Sequence, residues 1–222
     1  MAKTRKYEQV LRAESAQETR RRILDAVGQR LRAAPTEQPS LDQVAKLANV
    51  SRSTIYADFG SRAGLFDAFV ADLWERTGLG ELTAAVQTDD PRRRLSQGIA
   101  AASRMKGQEL AIYRVLHAMD RLDPDSAGGA VRQMEKDRRA AMEGIAASLA
   151  EAGVLRDDVT ADQALNAIWV LTSFESLDLL VSGRNLSVDE AIETLVTMAE
   201  RAVCKPRRGR AAGQPSSPRA KP

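Results

Sequence analysis

The side chains that follow Ser51 are of the types that bind the base edges and the phosphates of DNA. They are Arg52, Ser53, Thr54 and Tyr56, with Arg62 a few residues later. A guanidinium group can pair with a guanine edge, and hydroxyl groups can reach bases or phosphates. Arg62 falls in the first turn of a further predicted helix, where free backbone N–H groups also favour a phosphate. The pattern indicates a surface that contacts nucleic acid.

Residues 40–59 predict two short helices that would position these side chains. Ser40 and Gln43 form a capping-box pattern at the start of the first helix. Its apolar residues recur at helical spacing and are Leu41, Val44, Ala45 and Ala48. Asn49 tolerates the left-handed backbone angles that a turn needs, and Ser51 caps the second helix. The unit is a predicted helix-turn-helix, whose second helix would enter the major groove. The predicted DNA contacts are Ser40, Ser51, Arg52, Ser53, Thr54, Tyr56 and Arg62.

This stretch resembles the DNA-binding signature of the TetR (tetracycline-repressor) family of bacterial regulators. The matching residues are Val44, Ala45, Val50, Ser51, Ser53, Thr54, Ile55, Tyr56, Phe59, Arg62 and Leu65. Asn49 stands where the family usually has glycine, and Arg62 stands where it usually has lysine. Asparagine also adopts left-handed backbone angles, and arginine also binds phosphate. The resemblance covers roughly residues 18–70.

The composition fits an all-helical protein. Of the 222 residues 43% are hydrophobic but only 4% are aromatic, and no strand-like alternation competes with the helical patterns. We expect an all-α fold with a three-helix DNA-binding domain followed by a helical bundle. The resemblance assigns ligand binding and dimerisation to that bundle. The expected segments are a flexible basic arm at 1–14, the helix-turn-helix domain at 15–62, a connecting helix at 63–80, the ligand-binding and dimerisation domain at 81–204 and a disordered basic tail at 205–222.

Capping patterns and turn residues predict the remaining helices. Ser15 with Glu18 would begin the first long helix, and Ser61 would begin a helix that ends at Gly78. Five further helices are expected at 91–106, 108–121, 130–152, 161–182 and 187–203. Two more capping boxes are formed by Thr160 with Gln163 and by Ser187 with Glu190.

The net charge of +3 hides an uneven distribution along the chain. Residues 1–62 carry 12 lysines and arginines against 7 acidic residues, whereas residues 63–204 carry 15 against 23. The last 18 residues carry six basic groups and no acidic one. The basic N-terminal part coincides with the predicted helix-turn-helix, which indicates that this end of the molecule meets DNA. Ordinary surface charge is the alternative explanation.

The last two predicted helices have broad apolar faces. The residues that we assign to a dimer interface are Leu165, Ile168, Thr172, Leu179, Leu195 and Met198. In the resembled family this helix pair packs against its twin as a four-helix bundle. A dimer would also present two recognition helices to symmetric half-sites. Alternatively, these faces only fill the core of a single chain.

Methionine and aromatic side chains are spread over the central helices. The residues assigned to a ligand cavity are Met105, Tyr113, His117, Met142, Trp169 and Phe174, with Leu116 and Met134 beside them. Such side chains suit a pocket for a bulky apolar ligand, and they suit an ordinary core equally well. His117 is the only histidine, and it could serve a structural role, sense pH or bind a ligand.

No residue pattern indicates an enzyme, a metal centre or a cofactor. The sequence has no glycine-rich phosphate loop and no metal-ligand spacing, and a single cysteine, Cys204, excludes an intrachain disulfide. No signal-peptide pattern begins it, and its most apolar stretch, 167–181, contains acidic residues and is too short to cross a bilayer. We expect no catalytic residue, no metal, no cofactor and no membrane partner, and we expect a place in the bacterial cytoplasm, in association with the nucleoid.

The residues and the resemblance together predict a sequence-specific, DNA-binding transcriptional regulator. Its expected form is a homodimeric repressor that binds a palindromic operator in double-stranded DNA and is released by an unknown small-molecule effector. An activator is a variant of this prediction, because repression depends on where the operator lies relative to a promoter. Two other classes stay open: an architectural, non-specific nucleic-acid-binding protein driven by the basic termini, and an enzyme of unknown type carried on the C-terminal domain.

Overall fold

The computed structural model describes residues 2–34, 37, 39–122 and 124–206, without the side chains of residues 2–12, 123–128 and 130. Within these ranges the chain forms α-helices and a π-helical turn but no β-strand, apart from an isolated bridge between Leu155 and Cys204. The helices are α1 Ala2–Ala33, α2 Leu41–Ala48, α3 Arg52–Phe59, α4 Arg62–Thr77, α5 Leu79–Ala85, α6 Pro91–Gly107, α7 Leu110–Leu122, α8 Pro124–Glu151, α9 Ala161–Leu171, α10 Phe174–Asp178 and α11 Val188–Val203, and the π-helical turn is Leu179–Gly183. The all-α prediction is confirmed. Most of the predicted basic tail, from residue 207 on, lies outside the described residues.

Side-chain caps define the two short helices of the helix-turn-helix. The Ser40 hydroxyl accepts a hydrogen bond from the backbone N–H of Gln43, whose side-chain oxygen accepts one from the backbone N–H of Ser40. Asn49 ends α2 with a φ of 52°, in the left-handed region. The Ser51 hydroxyl then caps α3 by accepting from the N–H of Thr54. The predicted capping box, turn residue and second cap are confirmed.

Two helices begin earlier than the sequence patterns predict. α1 starts at Ala2, so Ser15 lies inside a continuous helix and the expected capping box with Glu18 is wrong. Residues 2–14 contain no glycine or proline that would interrupt a helix, and they are helical where a flexible arm is expected. α8 starts at Pro124, several residues before its predicted start, because proline is compatible with the first position of a helix.

Two other segments also differ from the prediction. The short helix α5 follows α4 directly, and Gly78, with a φ of 114°, makes the bend between them. Glycine adopts this backbone conformation without steric cost. The single helix expected at 161–182 ends at Leu171, because Ser173 leaves the helix and caps α10 by accepting from the N–H of Ser176.

One hydrophobic core joins the helix-turn-helix to the C-terminal helices. It contains buried side chains of α1 to α4, such as Ile55 and Phe69, together with side chains of α7 and α8 and with Phe174. The expected boundary between residues 62 and 63 therefore lies inside a single packed core. A second core, around Ile168, is formed by α6, α8, α9, α10 and α11.

Helices α3 and α4 meet closely because position 64 has no side chain. A Cβ atom added to Gly64 would lie 2.2 Å from the backbone oxygen of Phe59, the last residue of α3. The obstructing atom belongs to the backbone, so α3 itself would have to move to make room. Gly64 thus sets the position of α3 against α4, a role that the sequence patterns do not reveal.

Replacing Gly64 with alanine is expected to lower the free energy of unfolding by ~1–3 kcal/mol, as overpacking of a close contact does. The matched control is Gly144→Ala on α8, where an added Cβ meets nothing within 4 Å. There the better helix former should raise the free energy of unfolding by ~0.5–1 kcal/mol. Urea denaturation of both variants measures these changes, and equal shifts in the same direction would contradict the prediction.

Candidate functional site

Helix α3 presents polar side chains to solvent while Ile55 anchors it to the core. Ile55 is 1% exposed and packs with the apolar residues of α1, α2 and α4. The residues predicted to contact DNA lie on the outer side: Arg52 and Ser53 are exposed, Thr54 is half-buried and Tyr56 is 44% exposed. This exposed face of α3 is accessible to a partner as large as DNA. The contacts of its individual side chains with DNA stay predictions.

Arg52 forms a charged group with Asp42 and Tyr56 on the surface of α2 and α3. Its Nη1 atom lies 3.4 Å from the Asp42 carboxylate, and both side chains are largely exposed. Hydrogen bonding to Tyr56, and next the charge of Asp42, raises the pKa of the Arg52 guanidinium above its already high value. A long, solvated ion pair contributes little to stability. Arg52 can therefore leave Asp42 for a guanine edge at small cost.

Ser40 and Ser51 use their hydroxyl oxygens as helix caps. Ser51 Oγ also lies 2.7 Å from Ser53 Oγ and 2.8 Å from Thr54 Oγ1, so these three hydroxyl groups form one cluster at the start of α3. A hydroxyl that accepts a backbone hydrogen bond still has a proton to donate. The structure shows Ser40 and Ser51 as the N-cap residues of α2 and α3. A phosphate contact from either serine stays a prediction.

Arg62 is more enclosed than its place in the sequence indicates. Its guanidinium carbon lies 5.6 Å from the centroid of the Phe66 ring. Its Nε and Nη2 atoms are buried, and neither has a hydrogen-bond partner among the described residues. Unpaired buried donors are unfavourable. A phosphate oxygen could reach these two atoms only after the Arg62 side chain moves outward, and the phosphate contact stays a prediction.

Arg20 of α1 supports the far end of α3 and was not among the predicted site residues. Its guanidinium carbon lies 4.3 Å from the centroid of the Phe59 ring, and Nη1 donates a hydrogen bond of 3.0 Å to the backbone oxygen of Asp58. A positive charge at the C-terminal end of a helix complements its dipole. The basic run at residues 20–22 was the sequence signal for this contact.

A cavity of about 400 Å³ lies between α4, α5, α6 and α8, and we call it the α4–α8 cavity. Its larger apolar side chains are Trp74, Leu79, Leu82, Val86, Met105, Met134 and Met142. Its polar side chains are Thr83, Lys106, Asp137, Arg138 and Thr172. A mostly apolar cavity of this volume with few polar groups has the features of a small-molecule site.

Two larger depressions, of about 860 and 680 Å³, lie elsewhere on the protein. The first is bordered by charged side chains that include Arg156 and Glu200, and the second lies between α5, α6 and α11. Both are wide open, so a small molecule would stay largely hydrated there. The α4–α8 cavity, with buried Met105 and Lys106 in its wall, is the better candidate site.

Lys106 is a buried cation in the wall of this cavity. Its residue is 4% exposed, and Nζ donates one hydrogen bond of 2.8 Å to the backbone oxygen of Thr172. Burial lowers the pKa of Lys106 to about 8, and the positive charge of Arg138 contributes to the decrease. The negative charges of Glu135 and Glu175 act in the opposite direction but do not cancel it. Across the described part of the chain, no carboxylate forms an ion pair with Lys106 within 4.0 Å.

Arg138 is the second cation of the cavity, and it has a counter-ion. Its Nε and Nη2 atoms lie 3.0 and 2.5 Å from Oε2 of Glu135. Its Nη1 atom donates to the backbone oxygen of Trp169 and to Oγ1 of Thr172, both at 2.9 Å. The guanidinium also stacks on the Trp169 ring, 3.5 Å from the centroid. These contacts join α8 to α9 and leave Lys106 as the buried charge without a counter-ion.

The residues predicted to line a ligand cavity do not all lie in one place. Met105 and Met142 line the α4–α8 cavity, whereas Trp169 supports Arg138 instead. Trp74 and Lys106 are lining residues that the sequence analysis missed. A tryptophan on an apolar helix is ordinarily buried and a lysine is ordinarily exposed, so no local signal distinguished these two.

Three of the predicted ligand residues form an aromatic group in the core instead of lining this cavity. The Phe174 ring stacks on Tyr113 and His117 with centroid distances of 6.1 and 4.9 Å. Burial raises the pKa of Tyr113 to about 12 and lowers the pKa of His117. Both shifts favour the neutral side chain at these enclosed positions.

Three of the residues predicted for a dimer interface belong to the protein's own core. Ile168, Thr172 and Leu195 are at most 6% exposed in the single chain, and a contact of theirs with a second copy stays a prediction. Leu165 is half-buried and packs against the second core. The sequence showed a broad apolar face on these helices but not which part of that face the same chain covers.

The outer sides of the same helices do carry exposed apolar groups. Leu179 is 68% exposed and Met198 is 50% exposed, and both are predicted interface residues. Val170 on α9, which was not predicted, is 60% exposed. These side chains give α9, the π-helical turn and α11 an outward apolar surface.

Among the described residues, no single helix is long and apolar enough to cross a membrane. Ala161–Leu171 and Phe174–Gly183 together have the length and composition of a span, but they are bent by 51° at the break between them. Ile168, Phe174 and Leu177 of this pair are buried in the protein's own cores.

Comparison with known families supports the helix-turn-helix assignment. Residues 23–69 match the family of bacterial regulatory proteins described as the tetR family. This range covers the last third of α1 together with α2, α3 and the first half of α4. No curated protein sequence matches the chain.

Solved structures share the whole fold. NalD of Pseudomonas aeruginosa, described as the secondary repressor of the MexAB-OprM multidrug efflux pump, is 22% identical with a TM-score of 0.65 over 86% of this chain and 98% of that chain. A TetR transcription regulator from Haloarcula marismortui is 17% identical with a TM-score of 0.65 over 84% and 99%. The ketosteroid transcriptional regulator KstR2 of Mycobacterium tuberculosis is 15% identical with a TM-score of 0.61 over 84% and 95%. At these identities the likeness is one of fold.

Replacing Lys106 with methionine is expected to raise the free energy of unfolding near neutral pH by ~2–3 kcal/mol. A lysine whose pKa falls from 10.5 to about 8 on folding is protonated less favourably in the folded chain. Between these two values the unfolded chain binds more protons, so wild-type stability should rise with pH and the advantage of the variant should shrink. Urea denaturation across this pH range measures the effect.

The control for this prediction is Lys136→Met, which removes an exposed lysine from α8. This variant should follow the wild-type pH dependence. A difference between Lys106→Met and wild type that stays constant from neutral pH to 10.5 would show that Lys106 does not carry a lowered pKa in the folded protein.

Proposed function

We propose that this chain is a homodimeric repressor of the TetR family of bacterial regulatory proteins, released from its operator by a small molecule, and the match of residues 23–69 to that family supports the proposal. The observation that carries the proposal is that α4 runs from the recognition helix α3 to the α4–α8 cavity. NalD, which shares the fold, is described as a repressor, and this supports the same role here. The proposed partners are double-stranded operator DNA, a second copy of the chain and the effector, in the bacterial cytoplasm at the nucleoid.

Helix α4 connects the two sites physically. Arg62 lies in its first turn beside α3, and Trp74 in its last turns lines the cavity. Phe69, between them, is fully buried in the core that α4 shares with the helix-turn-helix. A ligand that displaces Trp74 would tilt α4. Because Gly64 of α4 lies directly against Phe59, the tilt would also move α3. The spacing of two recognition helices in a dimer would change accordingly.

The turn between α6 and α7 makes a second connection. Gln108 Nε2 donates a hydrogen bond of 3.0 Å to the backbone oxygen of Thr77, at the end of α4. The Glu109 carboxylate accepts two hydrogen bonds from Arg32, at the end of α1. Both contacts follow directly after Lys106 in the chain. A ligand shifts this arrangement only if it binds the two states of the protein with different affinity.

A dimer accounts for the exposed apolar surface of α9, the π-helical turn and α11. One α3 helix contacts too few base pairs for high specificity, and paired half-sites lie ~34–36 Å apart or at multiples of that distance. A second copy packed on this surface would cover Val170, Leu179 and Met198, which are otherwise open to water. The proposed interface therefore keeps Leu179 and Met198 of the predicted set and adds Val170.

Selection from a random pool of DNA duplexes, at physiological salt, tests the DNA-binding part of the proposal. Wild type is expected to enrich a palindrome. Tyr56→Ala and Arg62→Ala should weaken binding to all sequences because they would remove phosphate contacts, whereas Arg52→Ala should lower affinity for the palindrome and relax one base preference in each half-site. Arg139→Ala, an exposed arginine on α8, is the matched control and should behave like wild type.

Two outcomes would contradict this proposal. Unchanged affinity and sequence preference in Arg52→Ala would remove Arg52 from the contact surface. Salt-sensitive binding without any enriched sequence, lost on deletion of residues 205–222, would favour the architectural alternative in which the basic tail binds DNA.

Replacing Leu179 or Met198 with aspartate is expected to shift the protein from dimer to monomer, because a charge cannot be buried unpaired in an apolar interface. Sedimentation velocity measures the shift, and affinity for the palindrome should fall with it. Leu122→Asp is the control, since Leu122 is 83% exposed and belongs to α7, which is not one of the elements of the proposed interface. Dimers that persist in both variants would place the interface elsewhere.

A further inference from the structure

This inference rests on the proposed function and assigns the chemistry of the effector. We propose that the α4–α8 cavity binds an amphipathic organic anion of the carboxylate class, with the carboxylate against Nζ of Lys106 and the apolar body among Trp74, Leu82 and the cavity methionines. The charge, the burial and the lining of the cavity each support it.

The first argument is the unpaired charge. Lys106 is 4% exposed, and the only hydrogen bond that the structure gives its Nζ within the described residues is the one to Thr172. An ammonium group has three N–H donors, so the backbone oxygen of Thr172 satisfies a fraction of them. Burying a charge without a counter-ion is unfavourable, and an anion that enters the cavity relieves this cost.

The second argument is that the other charges of the cavity are already satisfied. Arg138 is paired with Glu135 and also donates to α9. Asp137 is exposed to solvent and accepts a hydrogen bond of 2.8 Å from Gln133. A cationic ligand would bring a second positive charge against Lys106, and a neutral ligand would leave Lys106 buried without a counter-ion. The lining therefore selects an anion.

The third argument concerns the remainder of the cavity wall. Most of the other side chains are apolar, and three of them are methionines: Met105, Met134 and Met142. Methionine side chains adapt their shape to a flexible or irregular hydrocarbon. The volume of about 400 Å³ fits a small molecule and not a bare inorganic ion. A single charged end and an apolar body together describe a carboxylate amphiphile.

The charge of the bound anion would act close to the connections of α4. Lys106 lies near the end of α6, immediately before Gly107, Gln108 and Glu109. The side chain of Gln108 donates a hydrogen bond to the backbone oxygen of Thr77, the last residue of α4. The carboxylate of Glu109 accepts a hydrogen bond from Arg32 of α1. A carboxylate that draws Lys106 away from Thr172 moves the residues that hold both helices. The anion would thus bind beside the turn that connects α6 to α4 and α1.

The pH dependence of binding gives an independent readout. Burial and the charge of Arg138 lower the pKa of Lys106 to about 8, while Glu135 and Glu175 oppose the shift. Above that pH the free protein holds a neutral amine at this site. The affinity for a carboxylate should therefore fall as pH rises above about 8, whereas the affinity for an uncharged analogue should not change.

Calorimetric titration of the full chain with octanoate, decanoate and dodecanoate, and with the matching alcohols, tests the inference. Wild type is expected to bind at least one of these carboxylates about tenfold or more tightly than its alcohol, as a charge-assisted hydrogen bond implies. Lys106→Met should lose this preference while still binding the alcohol, and its carboxylate affinity should be independent of pH. Lys136→Met, with the same change at an exposed lysine, should keep the wild-type preference.

The outcomes separate this inference from the proposed function. Equal affinity for carboxylate and alcohol, or a preference that survives in Lys106→Met, would overturn the anion assignment and leave the cavity as an effector site of other chemistry. Absence of binding by every probe would likewise overturn the assignment of a carboxylate amphiphile. Carboxylate binding through Lys106 that leaves affinity for the selected palindrome unchanged would support the ligand class and overturn effector release.

Discussion

The placement of the recognition helix depends on the packing of α4. Helices α2 and α3 have eight residues each, too few to be stable alone in water, so their structure comes from tertiary packing. Ile55 packs into the core that α4 fills with Phe66 and Phe69, and that core continues into α7 and α8. The close contact at Gly64 then leaves α3 no freedom to move independently of α4. DNA-binding geometry is therefore a property of the whole N-terminal core.

The burial of Lys106 is unfavourable for stability, and the proposed effector site would give it a function. A methionine at position 106 would pack with Met105 and Met134 and would avoid the cost of burying a charge. The structure instead holds Lys106 with a single backbone hydrogen bond beside an open volume. A residue type that is not the most stable one for its position is expected where a protein binds a ligand.

Local signals in the sequence predicted a large part of the fold, because helix ends are decided by a few neighbouring residues. The capping boxes at Ser40, Thr160 and Ser187 are present in the structure, and so is the left-handed turn at Asn49. The same kind of pattern at Ser15 was misleading, since nothing before it interrupts the helix. A capping pattern permits a helix start but does not require one.

The candidate sites were predicted unevenly for a related reason. The outward position of Arg52 and Tyr56 follows from helix geometry once Ile55 is assigned to the core. Cavity and interface residues depend on which side of an apolar helix its neighbours cover, and the sequence does not contain that information locally. Ile168 and Leu195 therefore proved to be core, and Lys106 was found only when its burial was known.

The continuous core also bears on how proteins of this design can diversify. A recombination event that joined residues 1–62 to a foreign sensor would divide one core between two unrelated sequences, because Phe66 and Phe69 lie on the far side of the junction. A functional hybrid would have to inherit α4 and the facing sides of α7 and α8 as well. Point substitution on the outer face of α3 leaves this core intact, whereas exchange of whole segments divides it.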